Sequence, residues 1–278
     1  MAVNATQRSP LKTAALPAME RRDTWWIEPV LVVVSLVTFL IYGLWRAWEN
    51  TFYDTLRMAE HLGAAHFAGG IVPHYLSPFY SPPIQDWFGS RLPLSAAFFL
   101  LAFPGSFRAT CYFARRSYYR AFFWDPPACA VREIVQARRG TYTGEREFPM
   151  TVQNLHRYAL YAIFVFVVFH WMHLGQAFFF DVNGKSHFGI GVGTLVFGLD
   201  TVLLSLYVAS CHSFRHVVGG ILNRFSPSQG RWAAWSRVSA LNARHGLFFW
   251  LRLLSVGLAD IYVRFVCSGA IPDFHIVF

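Results

Sequence analysis

The stretch GIGVGTLVFGLDTVLLSLYVASCHSFRH, residues 189–216, decides the fold. Up to Ala209 it carries a single acidic residue, Asp200, and no base. It is long enough to cross a hydrocarbon layer about 30 Å thick, which takes roughly 20 apolar residues in a helix. Lipid offers the backbone no hydrogen-bonding partner, so such a run must be helical. At its end the apolar sequence gives way to one thiol and two imidazoles, Cys211, His212 and His216.

The rest of the chain agrees with this beginning. Of its 278 residues 55% are hydrophobic, 18% aromatic and only 14% charged, which is too apolar for an ordinary soluble domain. Five stretches approach the length of a span: about 26–48, 90–113, 155–174, 189–211 and 246–266. The expected fold is therefore all-α, a polytopic membrane protein built as a five-helix bundle. Residues 1–25 form a polar N-terminal segment unlike a cleavable signal peptide, and 26–278 form one membrane domain. Its outer cap, 49–89, is rich in glycine, proline and aromatic residues and is expected to be ordered, with short helical pieces. Pro104 and Gly105 inside the second span predict a kink.

The net charge of +9 could point to nucleic acid, but the positive residues lie in loops between apolar runs. Seven arginines fall between Arg115 and Arg146, and five in the loop from His212 to His245, which has no acid. The segment 49–89 holds Arg57 as its one fixed positive charge, and the loop 175–188 holds Lys185. The positive-inside rule then puts the N-terminus and both arginine-rich loops in the cytoplasm and the C-terminus outside, in a multi-pass protein of the plasma membrane. Trp25, Trp26, Trp45 and Trp48 bracket the first span as interfacial anchors. Nucleic acid is not an expected partner; membrane lipid is.

With that orientation, one ligand-type residue stands at the cytoplasmic end of each of four spans: Cys111, His156, Cys211 and His245. The four cysteines, at 111, 129, 211 and 267, show no CxxC spacing and no secreted disulfide framework. A Cys2His2 set at one depth has three uses. Zinc would take two thiolates and two imidazoles tetrahedrally and staple the helices. A b-type haem would take two axial imidazoles from His156, His212, His216 and His245 and leave the cysteines as packing. A Rieske-type [2Fe–2S] centre would put two cysteines on one iron and two histidines on the other. The bland reading, buried cysteines and interfacial histidines in a structural anchor or a transporter, stands beside all three.

Charges within spans are costly, about 2.5–3.5 kcal/mol each on insertion scales. Arg252 lies two turns, about 10 Å, beyond His245, and Asp200 lies about 16 Å from Cys211. These offsets predict an ion pair inside the bundle whose role is helix registry.

Four segments carry a family resemblance: PGSFRATCYFARRSYYRAFFWDPPACAV (104–131), FPMTVQNLHRY (148–158), SCHSFRHVVGG (210–220) and LNARHGLFFWLRLLSVGLADIYVRFV (241–266). They resemble the membrane-anchor subunit of actinobacterial succinate dehydrogenase, in its mycobacterial form. In better-known five-span anchors two b haems are held by histidines of the first four spans, but here the first two spans have none. The resemblance therefore implies the haem-free class, with a Rieske-type [2Fe–2S] cluster in the membrane. It implies Cys111 and Cys211 on one iron and His156 and His245 on the other, with His212 in reserve, and electron delivery to menaquinone or another quinone. A quinone site needs an apolar slot, donors for the ring oxygens and a proton source. On the inner side His216, Arg215, Tyr112, Tyr119 and Trp235 are the candidates, with His216 as proton donor. His170 and His173, at the outer end of the third span, are where a second haem would find a ligand in the two-haem relatives. The resemblance also implies a flavoprotein subunit and an iron–sulfur subunit on the cytoplasmic face, and a higher oligomer of the whole complex. Succinate oxidation would then occur on those partners, since this chain has no GxGxxG and no ferredoxin cysteine pattern.

Overall fold

The structure, a computed structural model, describes residues 24, 26–91, 93–122, 148, 150–220 and 228–278. Most of the N-terminal segment, Trp25, Cys129 and the greater part of the arginine-rich loop 115–146 lie outside the described residues, as does the side chain of Tyr119.

Among the described residues, four helices are long and apolar enough to cross a membrane. These are α1 (Ile27–Glu49), α6 (His156–Gln176), α7 (Val192–Ala209) and α10 (His245–Cys267). The shorter helices are α2 (Thr55–Leu62), α3 (Ile84–Phe88), α4 (Ala96–Ala109), α5 (Tyr112–Phe122), α8 (His212–Gly219) and α9 (Gln229–Asn242). The expected second span, 90–113, is thus reduced to α4. At 14 residues, about 21 Å, it falls short of the hydrocarbon thickness. Ser95 caps its start by accepting from the Ala97 amide, and the helix stops at Thr110, where Cys111 opens the next one. Pro104 sits within α4, which continues past it.

The core joins α4, α6, α7 and α10 through Phe107, Leu160, Ile163, Leu204 and Phe249. α1 lies at the edge of this core with most of its side chains exposed, as a lipid-facing helix should. Trp26, Trp45 and Trp48 are exposed at its two ends.

The all-helical expectation fails at the end of the bundle away from His156, where the chain forms a sheet. Strands β1 (Ile71–Pro73), β2 (Phe179–Val182), β3 (Lys185–Gly191) and β4 (His275–Val277) form one antiparallel sheet in that order. Asn183 and Gly184 both have positive φ and join Val182 to Lys185 across a two-residue turn, which such a turn requires. The sheet ties the cap, the loop before α7 and the C-terminal strand together. Asp273 fastens it: its carboxylate accepts from the Tyr75 hydroxyl at 2.8 Å, the Tyr262 hydroxyl at 2.6 Å and the Gly193 amide at 3.0 Å. Gly193 has to be glycine, because the Tyr75 ring occupies the space a Cβ would take.

A second anchor is Asp260, fully buried on α10. It accepts from Tyr42 of α1 at 2.5 Å, from Arg264 at 2.9 Å and from Ser77 of the cap. One carboxylate therefore joins α1, α10 and the segment 49–89.

Candidate redox centre

The end of α4 and the end of α7 are built alike. Each helix finishes on alanine, turns at a hydroxyl residue and restarts after a cysteine: Ala109-Thr110-Cys111 and Ala209-Ser210-Cys211. Cys111 and Cys211 begin α5 and α8, their carbonyls accepting from the Arg115 and Arg215 amides at 2.8 and 3.0 Å. Two further helices, α6 and α10, begin with His156 and His245 at the same level. All four side chains are at least 93% buried.

The likeness extends to the stacked ring, the hydroxyl and the sulfur that each imidazole meets, while His245 also meets the Phe113 ring edge-on at 6.2 Å. The Phe107 ring stacks on His156, centroids 4.6 Å apart and 16° from parallel. The Tyr207 ring stacks on His245 at 5.1 Å and 12°. The Nδ1 atom of His156 lies 2.9 Å from the Thr110 hydroxyl, and that of His245 lies 2.7 Å from the Ser210 hydroxyl. Each hydroxyl spends its own proton on a backbone carbonyl, Thr110 on Ser106 at 2.7 Å and Ser210 on Tyr207 at 3.0 Å. Each must therefore accept from the imidazole, which fixes the proton on Nδ1. The lone pair is left on Nε2, and both Nε2 atoms face sulfur: His156 lies 3.0 Å from Cys211 and His245 lies 3.3 Å from Cys111.

This is a donor set with its outer hydrogen bonds already made. Among the described residues no three such side chains come together around the position of a single metal ion. All four instead line one cavity of about 620 Å³, with His212 and Asn242 at its rim. Asn242 donates to the Ser210 carbonyl at 2.8 Å and so braces the turn that presents Cys211. A group wider than one ion fits this arrangement. Two thiolates and two neutral imidazoles are the donors such an iron–sulfur group uses.

Of the residues expected around a quinone, Tyr112 lies on α5, Arg215 and His216 on α8 and Trp235 on α9. His212 and His216 face each other with their Nε2 atoms 3.1 Å apart, both exposed. Partial burial, with His216 and Arg215 nearby, lowers the His212 pKa below its usual value. Tyr112 meets His212 edge-on at 5.8 Å. Arg215 donates to Ser239 at 2.9 Å and lies over the Trp235 ring. Deeper in the bundle Arg252 and Asp200 form an ion pair, and Ser255 donates to the same carboxylate oxygen at 2.8 Å. His170 and His173 are buried in α6, toward the end away from His156.

Thr110, Ser210, Phe107 and Tyr207 escape a search for ligand-type residues, since none is one. The signal that finds them is the recurrence of aromatic-x-Ala-hydroxyl-Cys at 107–111 and 207–211.

The family described as actinobacterial succinate dehydrogenase subunit SdhC matches residues 27–269. Among solved structures, the chain is similar to one from the Mycobacterium smegmatis Sdh1 complex in the apo form. Identity is 36% over 95% of this chain and 96% of that one, with a TM-score of 0.76. No curated protein matches.

Proposed function

The chain belongs to the actinobacterial succinate dehydrogenase subunit SdhC family, and from that premise we propose that it is the subunit through which electrons from succinate leave for a membrane quinone of the menaquinone type. The observation that carries this reading is the doubled half-site: two sulfurs and two lone-pair nitrogens, buried around one cavity. A [2Fe–2S] group held there, Cys111 and Cys211 on one iron and His156 and His245 on the other, would supply one-electron redox chemistry. The protein's share is position and environment. Thr110 and Ser210 hold each imidazole in the tautomer that presents Nε2, and Phe107 and Tyr207 clamp the ring planes. Burial among α4, α6, α7 and α10 keeps water away.

The likeness to a chain of the Sdh1 complex supports partners of the same kind, a flavoprotein and an iron–sulfur subunit. Their dock would be the arginine-rich face at the ends of α5, α8 and α9, which the positive-inside rule puts in the cytoplasm of a plasma-membrane protein. In that orientation α4 completes a five-helix anchor, with the sheet and the C-terminus outside.

Metal and sulfide analysis of the purified complex tests the reading. After subtraction of the partners' clusters, about two irons and two acid-labile sulfides per chain are expected. The dithionite-reduced sample should show a Rieske-like EPR signal and no haem α band. A sharp α band, or no iron attributable to this chain, would overturn it. A second expectation concerns the hydroxyls. Thr110→Val and Ser210→Ala should each weaken retention of the group about 10–100-fold, as loss of an outer hydrogen bond to a ligating histidine does. Iron remaining after dialysis against a chelator measures this, independently of turnover.

A further inference from the structure

The two halves of the candidate centre differ at one atom that packing does not require. Phe107 and Tyr207 hold matching places: each opens an aromatic-x-Ala-hydroxyl-Cys run, and each lies flat on an imidazole. Both are buried, 1% and 3% exposed, and their rings meet edge to face at 5.5 Å. Phenylalanine at 107 shows that a ring clamps a histidine here without a hydroxyl. Tyrosine at 207 carries one nevertheless, and its oxygen has no hydrogen-bond partner among the described residues. Burying a polar group in this way costs about 1–3 kcal/mol, which phenylalanine would avoid.

The orphaned O–H stands beside sulfur. Tyr207 stacks on His245, whose Nε2 lies 3.3 Å from the Cys111 sulfur, and the Tyr207 hydroxyl is among the groups that act on that sulfur. A protonated thiol is a weak acceptor. A thiolate on a metal carries negative charge, and hydrogen bonds to ionised acceptors are roughly twice as strong as neutral ones. The hydroxyl therefore gains a partner when the sulfur serves as a ligand. Arg108 acts in the same direction: its guanidinium lies 5.3 Å from the Tyr207 ring centroid, where a cation draws on the ring's electron density and makes the O–H a better donor.

We propose that Tyr207 tunes the centre, its O–H donating to the Cys111 thiolate and raising the reduction potential above that of a site with phenylalanine in both halves. This rests on the function proposed above and names a residue for it. Reduction adds one electron to the iron–sulfur group and with it negative charge on the sulfur ligands. A donor to sulfur stabilises that reduced form more than the oxidised one. The phenol keeps its proton throughout, so the step moves an electron and nothing else. Tyr207 works through the sulfur and is a positioning residue. The two halves are then unequal, with Cys111 sharing its charge with a hydroxyl and Cys211 facing the phenylalanine half.

The test is Tyr207→Phe in the purified complex, which keeps the ring and its stacking and removes one oxygen. A redox titration followed by the Rieske-like EPR signal should show the equilibrium constant for reduction falling about tenfold, a shift of about 59 mV to lower potential for one electron. Iron content should stay that of the wild type. Tyr118→Phe is the control: that hydroxyl already donates to the Arg108 carbonyl at 3.3 Å, and its loss should change the constant less than about twofold. An unmoved potential in Tyr207→Phe, or an equal shift in Tyr118→Phe, overturns the proposal. So does loss of iron from Tyr207→Phe, which would give the hydroxyl a structural role. In the wild type, exchange into heavy water should remove a proton coupling from the ENDOR spectrum of the reduced centre that Tyr207→Phe lacks from the start; identical spectra in the two overturn it as well. The two readings fail differently. A wild-type complex with no iron attributable to this chain refutes the proposed function and this inference together, whereas an intact EPR signal whose potential ignores Tyr207 refutes this inference alone.

Discussion

Alanine at both His156 and His245 is expected to reduce quinone reduction on the order of 100-fold or more, while reduction of a soluble dye by the partner subunits persists. The expectation follows from the two half-sites. Each imidazole is the only nitrogen donor of its half and is held on three sides, by an aromatic face, a hydroxyl and a sulfur. Alanine removes the donor and leaves a buried thiol and hydroxyl with nothing to face. Loss of an outer hydrogen bond alone costs 10–100-fold in metal affinity, and loss of two ligands costs more. Steady-state assays with quinone and with dye as acceptors, run beside EPR of the same sample, check it. Quinone reduction that survives with the EPR signal intact would remove both histidines from the centre.

The second large effect belongs to Asp200 and Arg252. Both are buried, 1% and 6% exposed, and paired across α7 and α10. Removing one partner leaves an uncompensated charge in the bundle, which typically costs 3–5 kcal/mol, whereas replacing both by apolar residues of similar size is often neutral. Asp200→Leu and Arg252→Leu should therefore each lower the melting temperature of the complex sharply, and the double variant should recover most of the loss. Two losses that simply add would mean the side chains do not act as a pair.

Much of this architecture can be read from hydropathy, because membrane spans are continuous apolar runs. The four long helices begin and end within a few residues of the expected spans. The second span is shorter than expected at both ends, because Ser95 caps the start of α4 and Thr110 turns the chain at its end. The sheet has a signal in the sequence, Asn183-Gly184 between aromatic residues, a hairpin pattern that a search for spans passes over. For the centre, chemistry singles out the sulfur and imidazole side chains, and depth along each span puts them at one level. Their azimuths come only from packing, and so do the hydroxyls that set each tautomer.

The crossing of the two half-sites has a mechanical consequence. The tip of α4 gives its hydroxyl to His156 and its sulfur to His245, while the tip of α7 does the reverse. The four helix ends are therefore cross-braced, and neither half can shift without pulling on the other. Damage at Cys111 should be felt first by the imidazole of the opposite half, and a twist of either tip should reach both rings together.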